Sequence, residues 1–241
     1  MKGTTPAGAR SEREAAAWVR DMFGRVAHRY DLANHLLSFN IDRYWRARTV
    51  ARVRHILTRP EARVLDICCG TGDLVRALQR GRHGETPAMG SDFCHPMLLA
   101  ARAKLGGGPL FEADALELPL VDAALDLITV AFGFRNLANY DAGLREMRRV
   151  LRPGGVAAIL EFSQPPNPLF GALYGFYSRR LLPAIGGAIS GARDAYTYLP
   201  ESVVKFPAPE ELAEMMRAAG FPHVEFERLT GGIVALHLGR V

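Results

Sequence analysis

Val64-Leu65-Asp66-Ile67-Cys68-Cys69-Gly70-Thr71-Gly72 joins a short apolar strand pattern to a turn with two glycines one residue apart, and Leu74, Val75, Ala77 and Leu78 continue it at helical spacing. A β-branched run that ends on a glycine turn and restarts as a helix is the opening unit of a parallel α/β sheet. Similar runs recur at 88–92, 109–114, 125–130 and 156–162, separated by helical stretches. Each ends beside polar or glycine-rich residues, and ligands sit along those carboxyl-terminal edges in open parallel sheets. Near the end of the chain, 209–219 reads as a helix stopped by Gly220, and 223–229 and 232–238 alternate around Thr230-Gly231-Gly232 as an antiparallel hairpin. The expected fold class is α/β and Rossmann-like: a mostly parallel seven-stranded sheet with a C-terminal antiparallel hairpin.

Upstream of the sheet, Val19, Met22, Phe23 and Val26 fall at i, i+3, i+4 and i+7, the stripe of an amphipathic helix within 13–30. A second helix is expected over about 42–57, carrying Trp45 near Ile41 and Tyr44 and stopping before Pro60. Both precede the first strand, so they form an N-terminal helical cap. After Phe162 the regularity lapses among prolines and glycines mixed with Leu169, Phe170, Leu173, Tyr174, Phe176 and Tyr177. That segment reads as a substrate-covering lid, a membrane-facing patch or an ordinary packed helical excursion. The organisation expected is a single domain, 1–241, with a cap at 13–57, a core at 63–162, a lid at 163–205, and a closing helix and hairpin at 206–241.

The chain has 241 residues, 49% hydrophobic and 23% charged, enough for one sizeable core. No secretory signal opens it and no eighteen-residue apolar run occurs; the most apolar stretch, 181–189, is broken by Pro183, Gly186 and Gly187. A cytoplasmic location is expected. Cys68, Cys69 and Cys94 are odd in number and lack metal-ligand spacing, so they read as reduced thiols with no metal. The net charge of +5 is uneven: residues 1–55 hold eleven basic and five acidic side chains. Such a region suits a nucleic-acid backbone, an anionic membrane face or simply a solvated helical face.

The glycine turn points to a nucleotide-containing ligand, and the residues around it narrow the choice. A dinucleotide fingerprint needs a third glycine three residues beyond Gly72, where this chain has Val75. Asp66 ends the first strand four residues before Gly70, where a carboxylate organises the loop and favours a cationic amino-acid group. Asp92, closing the second strand, is placed for the two ribose hydroxyls. Asp114 and Ala115, after the third, lie where an adenine amine can be held. Asp66, Gly70, Gly72, Asp92 and Asp114 at successive strand ends together fit S-adenosylmethionine, although any one of them alone also reads as a cap or turn residue.

Several further segments carry a resemblance: Tyr30-Asp31-Leu32-Ala33-Asn34, the stretch 38–45, Phe132-Gly133-Phe134-Arg135-Asn136, Arg149-Val150-Leu151-Arg152-Pro153-Gly154-Gly155, Leu160-Glu161-Phe162-Ser163 and Tyr198-Leu199-Pro200-Glu201-Ser202. With the glycine turn, and over about residues 22–239, they resemble the quinone-ring C-methyltransferases of menaquinone and ubiquinone biosynthesis, which are class I S-adenosylmethionine-dependent enzymes. The chain departs from that pattern at Ala33, Asn40, Asp42 and Ala131, where the family commonly has methionine, glycine, histidine and serine.

The resemblance implies methyl transfer from S-adenosylmethionine to a ring carbon of a prenylated naphthoquinol, demethylmenaquinol, as the last step of menaquinone formation. It implies donor contacts at Thr71, Asp92, Asp114 and Ala115. A ring carbon becomes nucleophilic when its neighbouring hydroxyl loses a proton. The expected catalytic group is Arg135, Asn136 and Asp114: the arginine, always protonated, orients a water or stabilises the phenolate, and Asp114 takes the proton through that water. The lesser alternative is that Arg135 serves as an ion-pair partner of an acidic cofactor-loop residue. Tyr30, Asn34 and Trp45 are the substrate candidates on the cap, although as bare residues Tyr30 and Trp45 are core anchors. Expected partners are the quinol and the inner face of a membrane, with a homodimer admitted and no nucleic acid. The rival readings are a benzoquinol or dual-specificity enzyme, an RNA methyltransferase, and an inactive donor-binding scaffold.

Overall fold

In the computed structural model residues 3–6, 8–84, 86–181 and 193–241 are described, with the side chains of 29, 30, 32–34, 179, 181, 193, 194 and 196 excepted. The interior of the expected lid, 182–192, lies outside the described residues, and so do the Tyr30 and Asn34 side chains. Four helices precede the sheet: α1 (Glu12–Val26), α2 (Tyr30–Leu37), α3 (Ile41–Arg52) and the short α4 (Arg54–Leu57). The core then runs β1 (Val64–Ile67), α5 (Asp73–Arg80), β2 (Met89–Asp92), α6 (His95–Leu105), β3 (Leu110–Glu112), β4 (Leu125–Ala131), α7 (Tyr140–Val150) and β5 (Leu151–Phe162). Helix α8 (Pro168–Phe176) and a helix over Arg193–Lys205 follow. The chain closes with a helix over Pro209–Ala218, β6 (His223–Leu229) and β7 (Val234–Arg240).

The seven strands are ordered β3-β2-β1-β4-β5-β7-β6. Pairing is parallel from β3 to β5, and β7 inserts antiparallel between β5 and β6. This order makes β1 and β4 neighbours whose connections leave in opposite directions, the topological switch at which open α/β sheets bind ligands. Successive residues of β1 and β4 bury on opposite faces. Val64 and Leu127 meet Trp45, Ile56 and Leu78 on one side; Leu65, Ile128 and Val130 meet Leu144 and Met147 of α7 on the other. Burial on both faces explains why these strands read as continuous apolar runs.

The two ends of the sheet differ. At the amino-terminal end the fully buried Asp126 binds the Arg59 and Arg152 side chains and the Arg63 amide. Every group of chemical interest gathers at the other end.

Three sequence expectations need adjustment. The cap holds an extra helix, α2, turned from α1 by a single 3-10 turn at Ala27–Arg29. The expected helix over 42–57 begins at Ile41 and is interrupted at Val53, whose φ of −102° and ψ of 8° break it. Strand β5 starts at Leu151, because the turn-like Pro153-Gly154-Gly155 is carried within the strand beside a register shift opposite Leu125 and Leu127. One sequence departure finds its physical reason here: Asn40, at φ +61°, occupies the left-handed region where glycine is favoured and asparagine is the usual substitute.

Candidate active site

A cavity of about 490 Å³ runs along the carboxyl-terminal edge of the sheet, beneath the cap and α8. Its donor half is built by the loops after β1, β2 and β3. The chain leaves β1 with positive φ at Cys68, Gly70 and Gly72. Gly72 turns α5 under the loop so tightly that a Cβ would stand 3.0 Å from the Leu105 side chain. Gly72 therefore shapes the loop from below, whereas Gly70 and Thr71 line the cavity.

Asp92, at the tip of β2, accepts hydrogen bonds from the Gly70 amide at 2.9 Å and from the Cys94 amide at 2.9 Å. Both of its oxygens are thus fixed by backbone, and the carboxylate fastens the β1 loop to the β2 loop. Burial nevertheless pushes its pKa up to about 6. Asp66, buried between β1 and β4, accepts from the Thr129 hydroxyl at 2.6 Å, and burial raises its pKa to about 7. In both carboxylates burial outweighs the hydrogen bonds received, the condition in which further donors from a ligand favour the ionised form. Asp114 is exposed and caps the Leu116 amide at 2.9 Å, with the buried Ala115 beside it on the cavity wall. Asp66, Asp92 and Asp114 thus stand at the ends of β1, β2 and β3 along one cavity, as the sequence reading expected. The volume lies within the roughly 300–1,000 Å³ usual for small-molecule sites.

Above the donor loop, the cap is tied down by charge. Lys104 donates to Thr71 Oγ1 and Asp73 Oδ1, both at 2.8 Å, and pairs with Asp31 of α2, which also receives the Thr71 hydroxyl. Asp42 of α3 accepts from Ser38 at 2.7 Å and meets His35 Nδ1 at 2.7 Å and Arg46. Burial is the largest single influence on its carboxyl and raises it, but these partners together outweigh burial and hold it below the ordinary range.

The acceptor half is aromatic. Trp45 lies 5.7 Å from Phe132 and 6.1 Å from Phe162 between ring centroids, and its indole nitrogen donates to Thr230 Oγ1 at 2.7 Å. Tyr174 and Tyr177 complete the wall. Beyond β4 the loop turns so close to the β1 loop that a Cβ at Gly133 would fall 2.5 Å from the Cys68 Cβ. The 3-10 turn Phe134–Asn136 that follows is anchored by the buried Phe134 ring and by Tyr140, whose hydroxyl donates to the Arg135 carbonyl at 2.9 Å.

That anchoring sets two buried polar groups. The Arg135 guanidinium pairs with Glu161 Oε1 at 3.0 Å, the Arg135 amide donates to Glu161 Oε2 at 3.1 Å, and Arg135 Nε donates to Ser202 Oγ at 3.2 Å. Asn136 Oδ1 accepts the Tyr198 hydroxyl at 2.9 Å, and Tyr198 also meets Thr4 Oγ1 at 2.6 Å. Arg135 lines the cavity and Glu161 does not, so the pair is a fixed dipole with its positive end toward the acceptor half.

The structure separates the expected catalytic trio. Arg135 and Asn136 are adjacent on one turn after β4. Asp114 follows β3, with β2 and β1 in between, so about three strand spacings, roughly 14 Å, part them. One bridging water does not span that gap, and Asp114 stands with the loops after β1 and β2 at the other part of the cavity. Sequence reasoning missed Glu161 as a functional partner; the signal was a lone charge at the end of an otherwise apolar strand. It also missed Ser202 and Tyr198, which reach the turn from 67 and 62 residues away, and Thr4, which meets Tyr198. The N-terminal charge excess is partly neutralised by β6, where Glu227 binds Arg48 at 2.8 Å and Glu225 binds Arg52 at 2.6 Å. This weakens the RNA reading, which rested on that excess.

Fold and cavity define a class I S-adenosylmethionine-dependent methyltransferase. Residues 9–240 match the ubiE/COQ5 methyltransferase family, and the chain belongs to it. It is 50% identical to a demethylmenaquinone methyltransferase of Thermus thermophilus, over 90% of this chain and 99% of that one. It is 46% identical to a ubiquinone/menaquinone biosynthesis C-methyltransferase UbiE of Syntrophotalea carbinolica, over 92% and 93%. Among solved structures, an S-adenosylmethionine-dependent methyltransferase of Thermotoga maritima superposes with a TM-score of 0.64 at 20% identity, over 91% of this chain and 98% of that one.

Proposed function

We propose that this enzyme methylates a ring carbon of demethylmenaquinol, giving menaquinol, at the cytoplasmic face of a membrane. The observation that carries the reading is the continuity of the cavity. One half presents carboxylates to the donor, and the other presents Trp45, Phe132 and Phe162 to a flat aromatic ring. The donor, when bound, supplies an electrophilic methyl group where the halves meet. The protein's own contribution is positional and electrostatic. The aromatic walls hold the quinol ring against the donor half and exclude water. The Arg135 end of the buried dipole favours the ionised hydroxyl, its proton passing to solvent, and the oxyanion pushes electron density onto the neighbouring ring carbon. That carbon takes the methyl group, its own proton is then lost as the ring regains aromaticity, and the oxygen takes a proton back. One proton in all is thus released to solvent as the sulfonium charge is discharged. Asn136, fixed by Tyr198, orients the hydroxyl. Thr71, Asp92, Asp114 and Ala115 serve the donor.

A benzoquinol is the second reading, favoured by the relative named for both pathways. Labelled donor offered with reduced demethylmenaquinone and, in parallel, the reduced demethylated ubiquinone precursor separates them. Transfer to the naphthoquinol at tenfold or greater kcat/KM supports the primary reading. Equal or reversed preference replaces it with the second.

A prenyl tail needs an apolar exit, and exposed apolar residues beside the cavity support one. Phe39 lines the cavity, is 73% exposed and lies 6.1 Å from the Tyr177 ring. On α8, Leu169, Leu173 and Phe176 fall at i, i+4 and i+7, and all three are exposed. This stripe beside the cavity mouth supports a lipid contact, and among the described residues no helix is long and apolar enough to cross a membrane. In flotation with anionic liposomes the protein is expected to rise with the lipid, and Phe39→Ser/Leu173→Ser/Phe176→Ser to remain at the bottom. Equal flotation of both, or of neither, contradicts the contact.

A further inference from the structure

The donor residues named so far account for adenine and ribose but leave the methionine end of the donor with a single charged neighbour, Asp66. A second one faces it from the cap. Arg46 of α3 lines the cavity with its side chain only 12% exposed. Its guanidinium is bonded to Asp42, stands 3.6 Å from Asp73 Oδ2, and lies 5.8 Å from the centroid of the Phe132 ring. Asp73 begins α5 directly after the glycine turn, and Phe132 directly follows β4. The cation is therefore held over the ends of β1 and β4, where Asp66 and Thr129 make their bond. It is near enough for its charge to oppose the effect of burial on the Asp66 carboxyl.

Arg46 is not used up by these contacts. A guanidinium carries five N–H donors. One is bonded to Asp42, and the approach to Asp73 is longer than a hydrogen bond. Asp66 has likewise engaged one oxygen only, with Thr129. An acid and a base with spare bonding capacity, set across one cavity, complement an α-amino acid zwitterion. With ribose at β2 and adenine at β3, the amino-acid end of the donor extends toward β1 and β4, where this pair stands.

We propose that Arg46 grips the α-carboxylate of the donor's methionine while Asp66 takes its ammonium group, an assignment that rests on S-adenosylmethionine as the donor. The cap is then a wall of the donor site as well as a cover for the quinol. A donor lacking the amino-acid end forfeits the contact with α3.

Two ligands distinguish this role from a structural one. S-adenosylhomocysteine carries the amino-acid end, whereas 5′-methylthioadenosine keeps adenine, ribose and sulfur without it. Calorimetric titration of the full chain with each is expected to show that Arg46→Gln weakens S-adenosylhomocysteine by about tenfold to a hundredfold, the range for a hydrogen bond to a charged group. Its affinity for 5′-methylthioadenosine is expected to stay within about twofold, and Arg46→Lys, which keeps the charge without the fork, to fall between. Equal weakening of both ligands makes Arg46 a packing residue and overturns the proposal, as does no weakening of either. Wild-type protein that binds 5′-methylthioadenosine with the same affinity as S-adenosylhomocysteine has no amino-acid subsite, which also overturns it. Failure of the wild type to bind either ligand removes the donor reading and the inference with it.

Discussion

Replacing Glu161 by glutamine is expected to cost about 3–5 kcal/mol of folding stability, the penalty for leaving a buried charge without its partner. Arg135 is 5% exposed and Glu161 1%, and besides their mutual bond the carboxylate holds the Arg135 amide. Glutamine retains one acceptor but no charge, so the guanidinium is left as an uncompensated cation in the core. Arg135→Gln is expected to lower kcat by about a hundredfold to a thousandfold, as removal of a preorganised group aimed at developing charge does elsewhere. The double variant separates the two effects. Removing both halves of a buried pair is close to neutral for stability, so Arg135→Gln/Glu161→Gln is expected to recover most of the midpoint lost by Glu161→Gln in urea unfolding and to remain as slow as Arg135→Gln. Recovery of activity together with stability would show that Arg135 serves only to hold the fold.

Asp92→Asn is expected to weaken S-adenosylhomocysteine about a hundredfold, the loss of two charge-assisted bonds from ribose at about 1.5 kcal/mol each. The same carboxylate makes donor affinity pH-dependent. In the free protein burial raises the Asp92 pKa to about 6. Ribose hydroxyls donate to the ionised form, so the bound pKa is lower than the free one and binding releases a proton at acidic pH. Affinity should therefore strengthen as pH rises toward 6 and level off above it. Asp66, with its pKa raised to about 7, extends that rise by about one unit where it pairs with the ammonium group. In Asp92→Asn the slope below pH 6 is expected to fall to the part that Asp66 contributes. Calorimetry at fixed ionic strength from pH 5 to 8 reads this directly, and a flat wild-type profile contradicts it.

Both variants act on groups whose visibility in the sequence differs for a physical reason. The place of Asp92 was legible because it follows from local grammar: it closes a strand of a parallel sheet at the edge where the glycine turn also lies. The strands, their order of use and the closing hairpin were legible on the same basis, since the periodicity of β4 or β6 is a property of adjacent residues. Glu161 was not, because its meaning depends on Arg135 lying across the β4–β5 pairing, and no pattern within a window of sequence encodes that contact. Tyr198 and Thr4, 194 residues apart, are the extreme case. The charge excess of the first 55 residues was only partly legible for the converse reason. Counted along the chain it is a basic region, but in the fold Arg48 and Arg52 face the acidic side chains of β6. Helix α2 escaped notice because its eight residues are too few to establish a period and a short turn separates it from α1.

Asn40 shows the opposite outcome, a departure from the family pattern that the backbone explains. Its left-handed conformation sits at the entrance to α3, the helix that carries Asp42, Trp45 and Arg46 into the cavity. The position requires a residue that tolerates positive φ, and asparagine meets that requirement as glycine does. The cap can therefore present the same three side chains without the glycine.

The most direct test of the account is methyl transfer from deuterated S-adenosylmethionine to demethylmenaquinone, with the product analysed by mass and by the position of the label. The account predicts one CD3 group on a ring carbon, formed when the quinone is supplied reduced and absent when it is supplied oxidised, because only the hydroquinone has a hydroxyl whose ionisation activates the ring. Label on oxygen, equal transfer to the oxidised quinone, or binding of the donor with no transfer to the reduced one would contradict it.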